Sequence, residues 1–329
     1  MNRDTILVTG SAGFIGSSLI RTILNYYTLA TVIGIDNICP YYDIKLKFAN
    51  LNRNKDERFI NYIGDIADKF FVDKVFKEHK ITMVFHLAAQ AGVRYSFEHP
   101  REVISSNIVG FQNILDACVK HNVNNIVYAS SSSVYGDFYD KENCKEDQLV
   151  DNQKSPYAVT KRCNELMANT YSSNYPNLHL TGLRFFTVYG PYMRPDLAIG
   201  KFTKAILNDE PIEIYGDGSA VRDFTYISDI VNIMYRIGIN IMNKKYGHEI
   251  FNIGAGKCIT VNELVDIIKE NINPNFDKIV YKDKAKGDVN KTLACIDKIN
   301  EWFGEKPQVE IHEGIKKYIE WYKTYGCNS

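Results

Sequence analysis

Along the first part of the chain, short apolar runs alternate with longer stretches in which apolar residues recur at helical spacing. Thr5-Ile6-Leu7-Val8-Thr9 is a run of the first kind, and Phe14 to Leu29 a stretch of the second; the pair predicts a buried strand followed by a helix. Thr31-Val32-Ile33-Gly34-Ile35 predicts a second strand, Arg58 to Ile63 a third and Thr82-Met83-Val84-Phe85-His86 a fourth, with a helix from Phe70 to His79 before the last. A helix from about Pro100 to His121 carries Val103, Ile104, Ile108, Phe111, Leu115 and Val119 at its apolar positions, and Asn125 to Ser130 is the next strand. The pattern runs on through a helix to about Tyr175 and a strand from His179 to Arg184. Strands that alternate with helices across short loops predict an α/β fold with a parallel, doubly wound sheet.

Beyond Arg184 the pattern loosens. Helices near Ile199 to Leu207, Ser228 to Met242, Val261 to Glu270 and Gly314 to Tyr325 are separated by loops such as Gly190-Pro191-Tyr192-Met193-Arg194-Pro195-Asp196 and Tyr215-Gly216-Asp217-Gly218-Ser219. Loops of this kind are where substrate contacts are usually placed.

Composition narrows the class. Apolar residues make up 45% of 329 and charged ones 24%, with 39 basic against 39 acidic, so no basic footprint points to nucleic acid. The longest charged cluster, Arg53-Asn54-Lys55-Asp56-Glu57-Arg58, is mixed in sign and reads as a solvated turn. No apolar run approaches membrane-spanning length, and Met1-Asn2-Arg3-Asp4 leads directly into a strand; a cytoplasmic protein without a membrane partner is expected. Seven cysteines at 39, 118, 144, 163, 258, 295 and 327 lack the spacing of a metal knuckle or redox pair, which predicts free thiols and no metal.

Candidate chemistry gathers at the strand ends. Gly10-Ser11-Ala12-Gly13-Phe14-Ile15-Gly16 joins the first strand to its helix, and glycines there let a backbone approach a pyrophosphate at a helix N-terminus. Asp36 closes the second strand, where an acid binds an adenosine ribose 2'-hydroxyl and repels a 2'-phosphate, so NAD is preferred over NADP. A tight turn that merely packs a helix on a sheet would leave Asp36 without a purpose. Gly64-Asp65-Ile66 and the small-residue turn Leu87-Ala88-Ala89-Gln90-Ala91-Gly92 follow the third and fourth strands, and Ser130 and Ser131 the fifth. Gly10, Asp36, Asp65, Ala88 and Ser131 thus point to one crevice. Close by in sequence, Tyr157 and Lys161 stand four apart and share a helix face. A cation beside a phenol favours the phenolate, so Lys161 is expected to bring the Tyr157 pKa down and make a general base. The same spacing recurs at Tyr41 and Lys45, so it is its company that singles out Tyr157. His86 and His99 need no role.

With Gly10-x-x-Gly13-x-x-Gly16, Asp36, Asn107, the serine strand end and Tyr157-x-x-x-Lys161 in order, the whole chain resembles the extended short-chain dehydrogenase/reductase family. Within it, Asp36-Asn37 followed by Tyr41-Tyr42-Asp43-Ile44-Lys45-Leu46-Lys47, then Ala89-Gln90-Ala91-Gly92-Val93-Arg94-Tyr95-Ser96, then Phe186-Thr187-Val188-Tyr189-Gly190-Pro191 with Arg194-Pro195-Asp196-Leu197-Ala198, is most similar to the UDP-glucuronate 4-epimerases. That match assigns Tyr41 and Lys45 to a loop. The resemblance implies a Rossmann NAD-binding domain over residues 1–185, with strand and helix contributions from about 225–255, and a smaller α/β lobe over 186–329 for a UDP-sugar. It implies NAD held by Gly10, Gly13, Phe14, Ile15, Gly16, Asp36, Asn37, Asp65, Ile66, Leu87, Ala88, Ala89, Gln90, Asn107, Ser130, Tyr157 and Lys161.

By the same resemblance, Tyr157 takes the proton of the sugar 4-hydroxyl while C4 gives up a hydride, Ser131 hydrogen-bonds that oxygen and Lys161 holds the nicotinamide ribose. The 4-keto sugar then rotates and the hydride returns to its other face, leaving NAD tightly bound and recycled. Related dehydratases and decarboxylases carry an acid just after the hydroxyl residue; Ser132 and Ser133 stand there, which favours epimerisation with C6 intact. Arg194, with Thr187 and Ser133, is the implied partner of a uronate carboxylate, or else an ion-pairing residue of an exposed loop. Arg222 is the implied diphosphate arginine, or else a partner of Asp223 or Asp229. Near Gly287-Asp288-Val289 some epimerases have a further arginine beside the implied substrate residue Asp288, whereas this chain has Ala285 and Lys286. A homodimer through the helices 100–121 and 156–175 is also implied. A UDP-hexose or UDP-N-acetylhexosamine 4-epimerase, a dehydratase or decarboxylase, a net oxidoreductase and a non-catalytic NAD-binding protein are the alternatives.

Overall fold

A computed structural model of the chain describes residues 4–136, 143–242, 247–284 and 286–326. Six strands alternate with helices in its first half: β1 (Thr5–Thr9), β2 (Thr31–Asp36), β3 (Phe59–Ile63), β4 (Met83–His86), β5 (Asn125–Ser131) and β6 (His179–Phe185). Between them run α1 (Phe14–Tyr26), α2 (Ile44–Asn52), α3 (Lys69–Glu78), α4 (Tyr95–Glu98), α5 (Pro100–Ile104), α6 (Gly110–Lys120) and α7 (Pro156–Asn174). The remainder comprises β7 (Thr187–Tyr189), α8 (Ala198–Leu207), β8 (Ile212–Tyr215), β9 (Val221–Arg222), β10 (Phe224–Tyr226), α9 (Ile227–Ile241), β11 (His248–Ile253), β12 (Ile259–Thr260), α10 (Val261–Ile272), β13 (Ile279–Lys282), α11 (Asp297–Phe303) and α12 (Ile311–Tyr325).

Seven strands form one parallel sheet in the order β11-β6-β5-β4-β1-β2-β3. Its central strands are apolar on both faces because helices cover both: Ile6 and Val8 of β1 join one buried cluster, and Leu7 between them joins the other. The first cluster continues through Phe251 and Leu264 to Ile315 and Ile319 of α12, so the later elements share their core with the sheet. β11 enters the sheet beside β6, and α9 packs on α1. The strand order reverses between β1 and β4, which opens a crevice at the carboxyl ends of the strands.

Three departures from the expected elements bear on the fold around the site. α1 stops at Tyr26, short of Leu29, where the Tyr27 N–H makes the last helical bond to Ile23 and the chain turns so that Ala30 N–H bonds Tyr27. The stretch from Pro100 to His121 is not one regular helix: a π-helical turn, Ser105–Val109, separates α5 from α6. Such a turn inserts a residue and re-aims its side chains, and Asn107 lies within it. Lys45 is not in a loop but in the first turn of α2, whose N-cap Asp43 accepts from the Lys45 N–H; only Tyr41 stays in the loop.

Candidate active site

The crevice is a cleft of about 460 Å³, and its floor is backbone. Gly10 has φ +72°, and a Cβ there would sit 2.9 Å from the Ala88 nitrogen; a Cβ on Gly16 would collide with the Gly10 carbonyl. Only glycine lets α1 begin flush against β1. Gly13 caps α1 without a side-chain bond, so the first-turn N–H groups face the cleft as an anion cradle.

Of the residues assigned to a dinucleotide, Gly10, Gly13, Phe14, Ile15, Gly16, Asp36, Asn37, Ile66, Leu87, Ala88, Ala89, Gln90, Ser130, Tyr157 and Lys161 line this cleft. Two do not. Asp65 accepts from the Ala67 N–H at 2.8 Å and from Asn37 Nδ2 at 3.4 Å, so it acts on the wall through Asn37. Asn107, 1% exposed, accepts from Gln90 N–H at 2.8 Å and donates to Gln90 O and Thr160 Oγ1; it fixes the small-residue turn from behind. Asp36 is held by the N–H groups of Ala12 and Ile38 and by Lys47 Nζ at 3.2 Å. A carboxylate has about four acceptor sites, so one is left for a ribose hydroxyl. Lys47 entered the sequence reading only as part of the 41–47 motif and not as a site residue; its ion pair with a strand-end acid is what marks it.

The Ser155 hydroxyl accepts from Ala158 N–H and caps α7, and Pro156 starts the helix. Tyr157 is therefore in the first turn and Lys161 one turn on. The expected effect of Lys161 on the phenol is corrected here. Lys161 Nζ donates to Ala129 O at 2.9 Å and lies 6.0 Å from the centre of the Tyr157 ring; burial brings its own pKa down to about 8. The Tyr157 pKa is raised, not lowered, because crowding protein atoms desolvate the phenol although the residue borders the cleft. The Ser131 hydroxyl and the Arg194 cation pull the other way. Ser131 Oγ accepts from Ser133 N–H at 3.1 Å, which leaves its proton for the phenol oxygen. Below the serines, Ser130 Oγ donates to Glu165 at 2.7 Å, and buried Arg184 grips the same carboxylate with two hydrogen bonds.

A second cleft, about 610 Å³, continues the first, with Tyr41, Thr187 and Arg194 in the wall of both. Ser131, Ser132 and Ser133 border the first, and Arg222 and Asp288 the second. Arg194 Nε and Nη2 bind the two oxygens of Asp196 at 2.9 and 2.8 Å, so it is paired, yet it still faces the site. Arg222 donates to the carbonyls of Val289 at 2.7 Å and Asn290 at 3.4 Å. Asp223 is occupied by the N–H groups of Ala255, Gly256 and Ala294, and Asp229 by those of Gln308 and Val309. Near Asp288, Ala285 lies outside the described residues and Lys286 is exposed. An arginine does reach this place from elsewhere: Arg94 binds Asp288 at 3.0 Å and stacks 4.1 Å from the centre of the Tyr215 ring. Sequence reasoning missed it as a site residue because 194 positions separate the partners.

Residues 6–254 match the NAD dependent epimerase/dehydratase family. The chain belongs to this family. It is an NAD-dependent epimerase, and the glycine floor, the helix N-terminus and Asp36 fit that coenzyme. Among its relatives, protein CapI of Staphylococcus aureus is 42% identical over 97% of this chain and 98% of its own. The UDP-glucuronate 4-epimerase of Thermodesulfobacterium geofontis is 40% identical over 96% and 95%. Among solved structures, the UDP-glucuronic acid 4-epimerase of Bacillus cereus, in complex with UDP-glucuronic acid and NAD, has a TM-score of 0.88 at 31% identity, covering 97% of this chain and 99% of that one.

Proposed function

We propose that the protein is a UDP-glucuronate 4-epimerase, interconverting UDP-glucuronate and UDP-galacturonate. The observation that carries this reading is Arg194, a guanidinium in the wall common to both clefts, close enough to Tyr157 for its charge to act on the phenol. A planar guanidinium suits a carboxylate, and the hydroxyls of Ser132, Ser133 and Thr187 suit its remaining oxygens. In this reading Tyr157 removes and returns the proton of the 4-hydroxyl, and Ser131 donates to the same oxygen as charge develops there. Lys161 anchors a ribose hydroxyl. Bound NAD supplies the hydride acceptor and donor, is restored in each cycle and stays on the protein. In the same reading Arg222 and Arg94, both in the wall of the second cleft, bind the diphosphate, and Asp288 orients Arg94.

The division into a coenzyme domain over 1–185 and a substrate lobe over 186–329, with 225–255 returning to the first, belongs to this proposal, as does residence in the cytoplasm, which suits six described free cysteines. No described helix is long and apolar enough to cross a membrane. A homodimer is proposed through α5 to α7, where Ile104, Val109, Val159 and Leu166 are exposed on neighbouring helices. One observation favours a neutral UDP-hexose instead: Asp196 already balances the charge of Arg194. Proton NMR of the protein incubated separately with UDP-glucuronate, UDP-galactose and UDP-N-acetylglucosamine decides between them. Turnover of the uronate without added NAD is expected, and preference for UDP-galactose would replace the proposal with the neutral-sugar reading.

A further inference from the structure

Arg194 sits on the loop between β7 and α8, in the sequence Arg194-Pro195-Asp196. An arginine on a loop samples many rotamers, and one that must meet a carboxylate squarely needs something to hold it. Asp196 does so along one edge. Nε donates to Oδ1 at 2.9 Å and Nη2 to Oδ2 at 2.8 Å; among the described residues no other group accepts from Arg194. This side-on grip takes the Nε edge and leaves the fork between Nη1 and Nη2 intact. Asp196 is itself tied from the opposite lobe, because Tyr41 Oη donates to Oδ2 at 3.1 Å and the Tyr41 ring centre lies 5.2 Å from the guanidinium. The Tyr41 ring is in turn packed edge-on against Tyr95 at 4.8 Å. Burial works against the Asp196 charge, but the bonds from Arg194 and Tyr41 bring its pKa below the ordinary carboxylate value, so it is an anion at neutral pH.

We propose that Asp196 is a positioning residue for sugar specificity: held by Tyr41, it grips Arg194 side-on so that the free end-on fork is aimed at the carboxylate of the sugar. The inference rests on Arg194 being the uronate partner. A second consequence follows from charge. The Arg194–Asp196 pair is neutral as a unit, so the wall recognises a carboxylate by geometry without presenting a bare cation to every anion.

The test compares kcat and KM for UDP-glucuronate and UDP-galactose in Asp196→Asn, Tyr41→Phe, Arg194→Met and the double variant Asp196→Asn with Arg194→Met. Loss of one charged hydrogen-bond partner predicts a fall of about tenfold in kcat/KM for the uronate in Asp196→Asn, carried mainly by KM, with UDP-galactose changed far less. Tyr41→Phe moves in the same direction by a smaller factor, and serves where Asp196→Asn fails to fold. In the Arg194→Met background, Asp196→Asn adds nothing, since a residue that acts through Arg194 has nothing left to act on. Equal losses on both sugars, or a further loss in the double variant, would show a merely structural role and overturn the inference. If Arg194→Met itself fails to discriminate between the sugars, the uronate reading falls. If Arg194→Met discriminates and Asp196→Asn does not, only the positioning role falls.

Discussion

The cleft over the strand ends and the cleft beneath α8 are continuous, but they are built differently. In the first, recognition is by backbone and position: glycines with no room for a Cβ, a helix N-terminus, and Asp36 locked by two N–H groups and Lys47. The second is walled by long cationic side chains, Arg94 and Arg194 on loops and Arg222 at the end of the short strand β9, each held by an acid or a carbonyl. A site made of backbone tolerates almost no change and accepts one kind of ligand. A site made of side chains on loops can be retuned by one substitution, which is how one fold serves different sugars.

The sharpest way to break this contrast is Gly16→Val. The added atoms collide with the Gly10 carbonyl, and complete loss of both bound NAD and activity is expected, read from the nucleotide released on denaturation. Retention of NAD would mean that the floor is not built as described. Tyr157→Phe comes next: turnover should fall by about 10²- to 10⁴-fold while NAD content stays unchanged, which separates the chemistry from the cradle.

Arg194→Met should lower kcat/KM for UDP-glucuronate by about 10- to 100-fold, the loss of a charged hydrogen-bonding partner. It also has a pH signature that can be followed on UDP-galactose. The Arg194 cation favours the Tyr157 phenolate against the burial that raises its pKa. Removing that cation raises the pKa further, so less phenolate exists at a given pH and the rise of rate with pH moves to higher pH. An unmoved profile would detach Tyr157 from the rate. Arg94→Met is the mildest. It breaks a partly exposed ion pair with Asp288, which contributes about 0–1 kcal/mol to stability, and it should raise KM for every UDP-sugar alike. A selective effect on the uronate would move Arg94 from the diphosphate to the sugar.

The same contrast explains what could be read from the chain. β1, β2 and β4 were legible because burial on both faces leaves nearly unbroken apolar runs, whereas β11 was not read from its residues as a strand; the glycine triplet was legible because its spacing is local. Tyr157 and Lys161 were legible as a pair. Their electrostatics were not, since the direction of the Lys161 ammonium depends on the Ala129 carbonyl of β5, beneath the helix that carries the pair. The π turn at Asn107 was hidden because one inserted residue barely disturbs an apolar pattern. Lys47 beside Asp36 and Arg94 beside Asp288 were hidden because their partners are brought close only by the completed fold.

The place of β11 has a consequence for how the chain comes to be folded. β6 has β5 on one side, but its other neighbour is synthesised only after the intervening residues 186–247. Until His248–Ile253 emerges from the ribosome, β6 presents an open row of N–H and C=O groups, a template for pairing with another chain. A fragment ending before residue 248 is therefore expected to aggregate rather than persist as a coenzyme-binding half, and during translation the nascent sheet stays exposed to its neighbours until that last strand arrives.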